Sequence, residues 1–151
     1  MGHIKNTTMK DLKLKFYSPA EDSIEGWEKY SLPIGNGYSG ASVFGGCDEE
    51  RVQFTTNAFA NTFDNGGVSD FAEIYINSGV KEFKNYKREL DIVNGIASSC
   101  FNYENTSVKR VAFYSYPDNA LVYKITSDKE IEFSVQLVIP FLGARPEKKA
   151  K

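Results

Sequence analysis

The chain has 151 residues, of which 41% are hydrophobic, and a formal net charge of −2. That length predicts one domain with a sizeable buried core. The near-neutral charge gives no electrostatic basis for binding nucleic acid or an anionic membrane, and no apolar stretch approaches the ~20 residues of a membrane-spanning helix. We therefore expect a globular domain with neither nucleic acid nor membrane as a partner.

Histidine and cysteine usage narrows the chemistry further. The single histidine is His3, within a segment, residues 1–11, that we expect to be a disordered lead-in or tag. This excludes histidine-based catalysis and nearly all metal binding by histidine. Cys47 and Cys100 leave a disulfide open, although two reduced thiols are the favoured reading. No signal peptide is visible, which predicts a cytoplasmic protein, or a secreted or cell-surface one if a signal has been removed.

The first half of the chain predicts three strands and long connections. Residues 12–17 alternate between apolar and polar side chains, as a half-buried strand does. Residues 18–31 predict a loop or a short helix, because Pro19 suits a first helical position. Two further strands are expected at 41–44 and 51–54, joined by a turn at 45–49. Residues 55–68 are rich in Asn, Asp and Gly and predict a long connection.

The second half predicts an antiparallel meander. Strands are expected at 73–77, 86–92, 96–103, 107–116, 121–125 and 131–139, with turns at 104–105 and 117–119. Leu90 and Ile92 are expected to share a face. Asn94-Gly95 predicts a two-residue type I′ hairpin turn, because both residue types accept positive φ. Short strands separated by turn signals indicate an all-β antiparallel sandwich over residues 12–145, with a charged tail at 146–151.

A glycine-rich run at residues 32–46 is the most distinctive segment. Such a run could cradle a phosphate, but a phosphate loop ends in Lys-Ser/Thr and a dinucleotide loop opens a helix. Neither follows here, since residues 41–44 predict a strand. The glycines therefore indicate tight backbone geometry at several points rather than phosphate binding.

Together with its flanks, this run resembles the amino-terminal domain of glycoside hydrolase family 95, the α-L-fucosidase and α-L-galactosidase family. The shared order is a Trp (Trp27), then Leu-Pro-Ile-Gly-Asn-Gly (32–37), a strand ending in Gly-Gly (45–46), an acidic turn and a strand with Arg and Gln (48–54). Later stretches at 67–76, 86–91, 95–97, 110 and 115–118 are similar to the family's following motifs. The resemblance spans about residues 12–143.

The resemblance implies an incomplete supersandwich domain, a truncated part of the full one, that precedes an (α/α)6 barrel. In that family the barrel carries catalysis, so no catalytic residue is expected here. The parent would be a bacterial, inverting glycosidase on α-L-fucosides or related sugars that needs no cofactor. The missing barrel of the same polypeptide would then be the main partner. Two alternatives remain: an autonomous carbohydrate-binding module with glycan as partner, and a structural or oligomerisation sandwich that forms a homodimer.

Two sets of residues are candidates for function. The first is the loop formed by Pro33, Ile34, Gly35, Asn36 and Gly37. It predicts either a structural corner in which Asn36 bonds its own backbone or, by the resemblance, a barrel-facing rim of the sugar pocket. The second set is Trp27, Tyr30 and Tyr38, for which core packing or a domain interface is favoured over sugar stacking.

The acidic residues predict structural roles. Asp48, Glu49 and Glu50 are expected to form a solvated cluster at a turn, and Glu73 and Glu89 to pair with Arg88 or Arg110. Asp64, Asn65 and Asp70 fit no defined calcium loop. The chain is therefore expected to hold no metal and no catalytic carboxylate pair.

Overall fold

The computed structural model describes residues 12–59 and 72–139, which form two five-stranded antiparallel sheets. The strands are β1 (Lys13–Phe16), β2 (Leu32–Gly35), β3 (Ser39–Val43), β4 (Glu49–Thr56), β5 (Ala72–Asn77), β6 (Lys84–Asp91), β7 (Ile96–Tyr103), β8 (Thr106–Ser115), β9 (Ala120–Ser127) and β10 (Ser134–Val138). A π-helical turn (Gly26–Tyr30) and a 3-10 turn (Asn57–Phe59) complete the described elements. The predicted all-β sandwich is confirmed.

The two sheets pack face to face, but they are shifted sideways relative to each other. The first has the order β1-β6-β7-β8-β9 and the second β10-β5-β4-β3-β2. β2, an edge strand of the second sheet, packs against β6, β7 and β8, and β3 packs against β8. Edge strand β2 therefore lies over the middle of the first sheet. At the opposite edge of the second sheet, β5 and β10 border an open cavity together with β9.

The core follows from side-chain alternation on the facing strands. Its main cluster consists of Leu32, Ile34, Ala41, Val43, Val52, Leu90, Ala97 and Ala112. A second cluster fills one end of the sandwich with Cys47, Val80, Tyr86, Phe101 and Val108. The alternation predicted for residues 107–116 is confirmed, since Val108, Arg110 and Ala112 are buried while Lys109 is exposed.

Two local predictions need correction. Residues 33–37 were expected to be a loop, but residues 33–35 belong to β2, which pairs with β3 from Leu32 opposite Val43 to Gly35 opposite Gly40. The β6–β7 hairpin exists, but its loop has four residues, 92–95, and only Gly95 has positive φ.

The type I′ prediction for that hairpin fails for a local reason. The carboxylate of Asp91 accepts hydrogen bonds from the backbone N–H and the side-chain amide of Asn94, at 3.0 and 2.9 Å. This side-chain cap organises the longer loop. Ile92 therefore leaves the strand and is exposed instead of sharing a buried face with Leu90.

Other strand limits also shift. Thr55 and Thr56, predicted to start a long connection, extend β4, and 131–133 precede β10 instead of belonging to it. Residues 1–11, 60–71 and 140–151 lie outside the described residues, and with them the predicted lead-in, the charged tail and Asp64, Asn65 and Asp70.

The segment between β1 and β2 forms a loop whose two ends are held by one buried arginine. Arg88 of β6 donates from Nε to the carbonyl oxygen of Ser18, at 2.8 Å, and from Nη1 to that of Tyr30. Its guanidinium carbon lies 4.5 Å from the ring centroid of Phe16. One side chain thus fixes both the departure and the return of the chain. We call residues 18–31 the clamped loop.

The offset leaves apolar side chains uncovered at the β10 edge. Val135 and Leu137 lie on the face of the second sheet that is turned toward the first sheet, but they remain 61% and 58% exposed. Val135, together with Phe133, Ile131 and Ile125, borders an open cavity of about 370 Å³. Within the described ranges, no helix has the length and apolar character needed to cross a bilayer.

Candidate functional site

β4 places two charged residues on opposite faces of the second sheet. Glu50 faces the space between the sheets, whereas Arg51, the next residue, faces outward. This follows from the two-residue repeat of a strand. Each residue forms the centre of a polar cluster, which we call the inner and the outer cluster.

The inner cluster is sealed. Glu50 is 0% exposed; its carboxylate accepts hydrogen bonds from the Gly45 N–H at 2.7 Å and the Tyr123 hydroxyl at 2.9 Å. Arg110 Nη1 lies 3.5 Å from the Glu50 carboxylate and donates to the carbonyl oxygen of Gly46. The cluster therefore neutralises a buried charge and fixes the turn after β3.

The Gly45-Gly46 pair is required by this packing. Gly45 has φ +80°, and a Cβ there would overlap the Tyr86 hydroxyl and lie 2.9 Å from Arg88 Cδ. The Tyr86 hydroxyl donates to the Gly45 carbonyl oxygen at 2.6 Å. A Cβ at Gly46 would overlap the carbonyl oxygen of Glu49. The glycine-rich motif thus serves a buried polar network at this end.

Burial dominates the protonation of the inner groups. Desolvation raises the pKa of Glu50, although the charge of Arg110 opposes the shift. Desolvation also raises the pKa of the Cys47 thiol to about 12. Cys47 is therefore an inert buried thiol. Cys100 is exposed and not bonded to Cys47, so two free cysteines are confirmed, although one lies at the surface.

Two predictions about the acidic residues are corrected here. Asp48 and Glu49 are exposed, but Glu50 is not part of a solvated cluster. Glu73 and Glu89 have structural partners, but not the arginines predicted.

Those partners are set by sheet pairing. Glu73 bonds Arg51 and the Tyr75 hydroxyl. Glu89 bonds Lys13 at 2.7 Å and Lys87 at 3.0 Å. Arg88 and Arg110 instead point between the sheets, where they bond backbone carbonyl groups.

The outer cluster links the second sheet to the clamped loop. Arg51 Nη1 lies 2.7 Å from Asp22 Oδ1, and Nη2 bonds the carboxylate of Glu73. The Tyr75 hydroxyl donates to the other Glu73 oxygen at 2.6 Å. Desolvation would lower the pKa of Arg51, but the bond and charge of Glu73 raise it. The arginine therefore stays charged and ties the loop to the sheet.

A groove of about 750 Å³ opens beside this cluster. It lies between the clamped loop and the outward faces of β2, β3 and β4. Its lining residues are Asp22, Ser23, Ile24, Trp27, Pro33, Ile34, Gly40, Ala41, Ser42, Arg51, Gln53, Phe54 and Thr55. Outward residues on adjacent strands form its floor, with Pro33 opposite Ser42 and Ser42 opposite Gln53. We call this the outer groove.

The structure separates the three candidate aromatic residues. Trp27 lines the outer groove and is 46% exposed. Tyr30 packs edge-on against Phe16, with ring centroids 6.2 Å apart, and Tyr38 is exposed beside the β2–β3 turn. All three remain well exposed, so packing in the core is wrong for them. Sugar stacking and a domain interface both stay predictions.

The candidate loop is divided in a similar way. Pro33 and Ile34 border the outer groove. Asn36 forms a corner: its Oδ1 accepts hydrogen bonds from the N–H groups of Tyr38 and Ser39 at 3.0 and 2.8 Å. Its Nδ2 donates to Asn119 Oδ1 at 2.9 Å, which links the corner to the first sheet. The structural corner is therefore confirmed, and the role as a pocket rim stays a prediction.

The outer groove does not contain the carboxylate pair of a glycosidase. Glycoside hydrolysis normally uses two carboxyl groups across the scissile bond, but Asp22 is the only acid among the lining residues. Among the described residues, no group of three or more His, Cys, Asp or Glu side chains could hold a metal ion. The described lining therefore combines polar and apolar groups with one carboxylate, fewer than the two that such hydrolysis normally uses.

Sequence reasoning missed Asp22, Ser42 and Gln53 as groove residues. Ser42 and Gln53 alternate with buried Val43 and Val52, so their outward direction was readable from the strand pattern. No local pattern signalled Asp22, because its position depends on the ion pair with Arg51, 29 residues further along the chain.

Comparison with known proteins identifies the domain. A probable alpha-fucosidase A of Aspergillus niger is 33% identical over 75 residues, a match that covers 47% of this chain and 10% of that protein. The chain therefore matches only about a tenth of that relative's length. The sequence model described as glycosyl hydrolase family 65, N-terminal domain, matches residues 55–148, more than half of the chain. The chain belongs to this family of glycosyl hydrolase N-terminal domains.

Proposed function

We propose that this chain is the non-catalytic N-terminal domain of a larger glycosidase that acts on α-L-fucosides or related sugars with inversion. The family match gives the domain type, and similarity to a probable alpha-fucosidase favours a fucoside substrate. The resemblance of residues 12–143 to family 95 favours inversion. The observation that carries the non-catalytic role is the outer groove, where the described residues provide one lining carboxylate and hydrolysis normally uses two.

The β10 edge supports a longer polypeptide. Val135 and Leu137 expose apolar surface, and contact of apolar surface with water is unfavourable in free energy. Exposed apolar patches commonly mark interaction sites. The relative's alignment leaves nine-tenths of its own length outside the match. We propose that polypeptide continuing from the end of β10 covers this edge, and that the 33–37 corner faces the catalytic barrel.

The test is hydrolysis of an aryl α-L-fucoside by a polypeptide that carries this domain together with the sequence following it. We expect turnover, with β-L-fucose as the first anomer detected by proton NMR. α-L-Fucose as the first product would contradict inversion. Absence of turnover on fucosides and galactosides would contradict the proposed substrate class.

A free carbohydrate-binding module is the second candidate, and the outer groove favours it. It would bind sugar without any catalytic partner. Val135→Lys and Leu137→Lys test whether further polypeptide covers the β10 edge, which a free module does not require. If polypeptide covers this edge, these changes lower the free energy of unfolding of the longer protein more than the surface change Lys109→Met. Equal effects would contradict a covered β10 edge.

A further inference from the structure

We propose that the outer groove binds a neutral saccharide. This deepens the second candidate function and rests on it, because it names the site and the class of sugar that would bind there. The proposal rests on three features of the groove: a rigid wall, an exposed aromatic face beside polar groups, and the balance of its charges.

The wall is held in place before any ligand arrives. Arg88 fixes both ends of the clamped loop, and Asp22 joins its middle to Arg51. Gly26 lies so close to Glu21 that a Cβ would overlap the Glu21 carbonyl oxygen. A preorganised wall loses little conformational entropy on binding, which favours affinity for small ligands.

Trp27 gives the wall an aromatic face. The residue is half-exposed, lines the groove and is accompanied by Ile24. An indole has a broad apolar face and one polar N–H. It therefore matches a sugar ring, which presents C–H bonds on its faces and hydroxyl groups around its edge.

The floor supplies hydrogen-bonding groups that have no other role in the described structure. Ser42 and Gln53 are adjacent across β3 and β4. Neither side chain forms a hydrogen bond to another group within residues 12–59 and 72–139. A hydroxyl and an amide together offer donors and acceptors. Gly40 leaves space beside them.

Charge selects a neutral ligand. The charged side chains that line the groove, Asp22 and Arg51, are bonded to each other. The described lining therefore offers no excess cation for the carboxylate of an anionic sugar. The volume of about 750 Å³ lies within the range of roughly 300–1,000 Å³ typical of small-molecule sites.

The test uses Trp27 as its own reporter, because it is the only tryptophan in the chain. The 151-residue chain is titrated with L-fucose, D-galactose, D-xylose and D-galacturonate while tryptophan emission and acrylamide quenching are recorded. We expect a saturable emission change and reduced quenching with at least one neutral sugar. D-Galacturonate should bind more weakly than D-galactose, from which it differs by the carboxylate.

Substitutions in the groove test whether the change in Trp27 emission comes from sugar bound there. Gln53→Ala removes one polar group and should weaken binding about tenfold, as expected for the loss of hydrogen bonds to one side chain. Ser42→Phe should abolish binding by filling the floor. Tyr116→Ala is the matched aromatic control, because Tyr116 is 80% exposed and lies away from the groove. Circular dichroism should show the same β spectrum for all three.

Four outcomes would overturn the proposal. They are no saturable change with any neutral sugar, an unchanged affinity in both groove variants, and D-galacturonate binding as tightly as D-galactose. The fourth is a Trp27 that is shielded from acrylamide and silent to sugar in the longer polypeptide, which would make the groove a protein interface. None of these outcomes depends on whether that polypeptide hydrolyses fucosides.

Discussion

Glu50 and Arg51 are neighbours in sequence, yet their surroundings differ in almost every respect. Glu50 lies between the sheets with Arg110 and Tyr123, and water does not reach it. Arg51 lies on the opposite face, where Asp22 bonds it and the outer groove opens beside it. One strand thus supports a sealed polar cluster and one that borders an open groove.

The difference in burial between the inner and outer clusters indicates that their charged residues have different roles. A buried ion pair whose polar contacts all go to groups within the fold specifies a turn and stabilises little beyond that. A cluster at the edge of a groove leaves neighbouring groups available to a ligand. We therefore expect changes to the inner cluster to alter stability, and changes around the outer cluster to alter binding.

The largest expected effect follows from Arg110→Met. The change leaves the Glu50 carboxylate buried without its cation and removes the donors to the Gly46 and Cys47 carbonyl groups. Breaking a buried pair in this way costs about 3–5 kcal/mol. Urea denaturation should show that loss in the free energy of unfolding.

Lys109→Met is the control for that variant, because Lys109 is the exposed neighbour on β8. It should change the free energy of unfolding by less than about 0.5 kcal/mol. Equal losses for the two variants would show that the inner cluster has no special structural role.

Glycine substitutions compare the closely packed turn at Gly45 with the uncrowded turn at Gly37. Gly45 and Gly37 both have positive φ, but a Cβ at Gly37 would meet nothing within 4 Å. Gly37→Ala should cost about 1–2 kcal/mol from backbone strain alone. Gly45→Ala adds overlap with Tyr86 and Arg88, which should cost about 1–3 kcal/mol more. Thermal unfolding that ranks them equally would contradict the packing around Gly45.

The contributions of Glu50 and Glu89 to the free energy of unfolding should change with pH in opposite directions. Burial raises the pKa of Glu50 in the folded state. Its contribution to stability is therefore present below the unfolded pKa, about 4.3, and is lost as pH rises through the folded value. Hydrogen bonds from Lys13 and Lys87 lower the pKa of Glu89, so its contribution is present above the unfolded pKa and is lost as pH falls through the folded value.

Glu50→Gln and Glu89→Gln test these opposite signs. The difference in free energy of unfolding between wild type and each variant is measured across the acidic and neutral range. Relative to the variant, wild type should lose stability with rising pH for Glu50 and gain it for Glu89. Slopes of the same sign would contradict the contrast between the two sites.

The smallest stability effect is expected from Asp22→Asn. The Asp22 side chain is 39% exposed where it pairs with Arg51, and exposed pairs contribute less than about 1 kcal/mol. Calorimetry should show a small shift in Tm. A loss as large as that of Arg110→Met would mean that the outer cluster is as structural as the inner one.

The sequence predicted those parts of the molecule that depend on neighbours along the chain. The alternation of Val108, Arg110 and Ala112, the hairpins and the Asn36 corner all follow from periods of two and from local side-chain bonds. The sandwich follows from many such strands in series.

Features set by distant contacts could not be read in this way. The burial of Glu50 depends on Tyr123, 73 residues away, and the clamped loop depends on an arginine 70 residues beyond Ser18. The exposure of Val135 and Leu137 follows from the offset between sheets, which no strand pattern encodes. The alternation of apolar and polar residues indicated which side chains point inward, but not which parts of the chain pack against them.

We propose that this domain belongs to a larger glycosidase and does not itself cleave sugar. The most direct measurement is hydrolysis of an aryl α-L-fucoside by the repurified 151-residue chain beside the longer polypeptide that contains it. We expect turnover by the longer polypeptide and none by the chain alone. Turnover by the chain alone that persists through repurification, at a rate proportional to its concentration, would contradict the account.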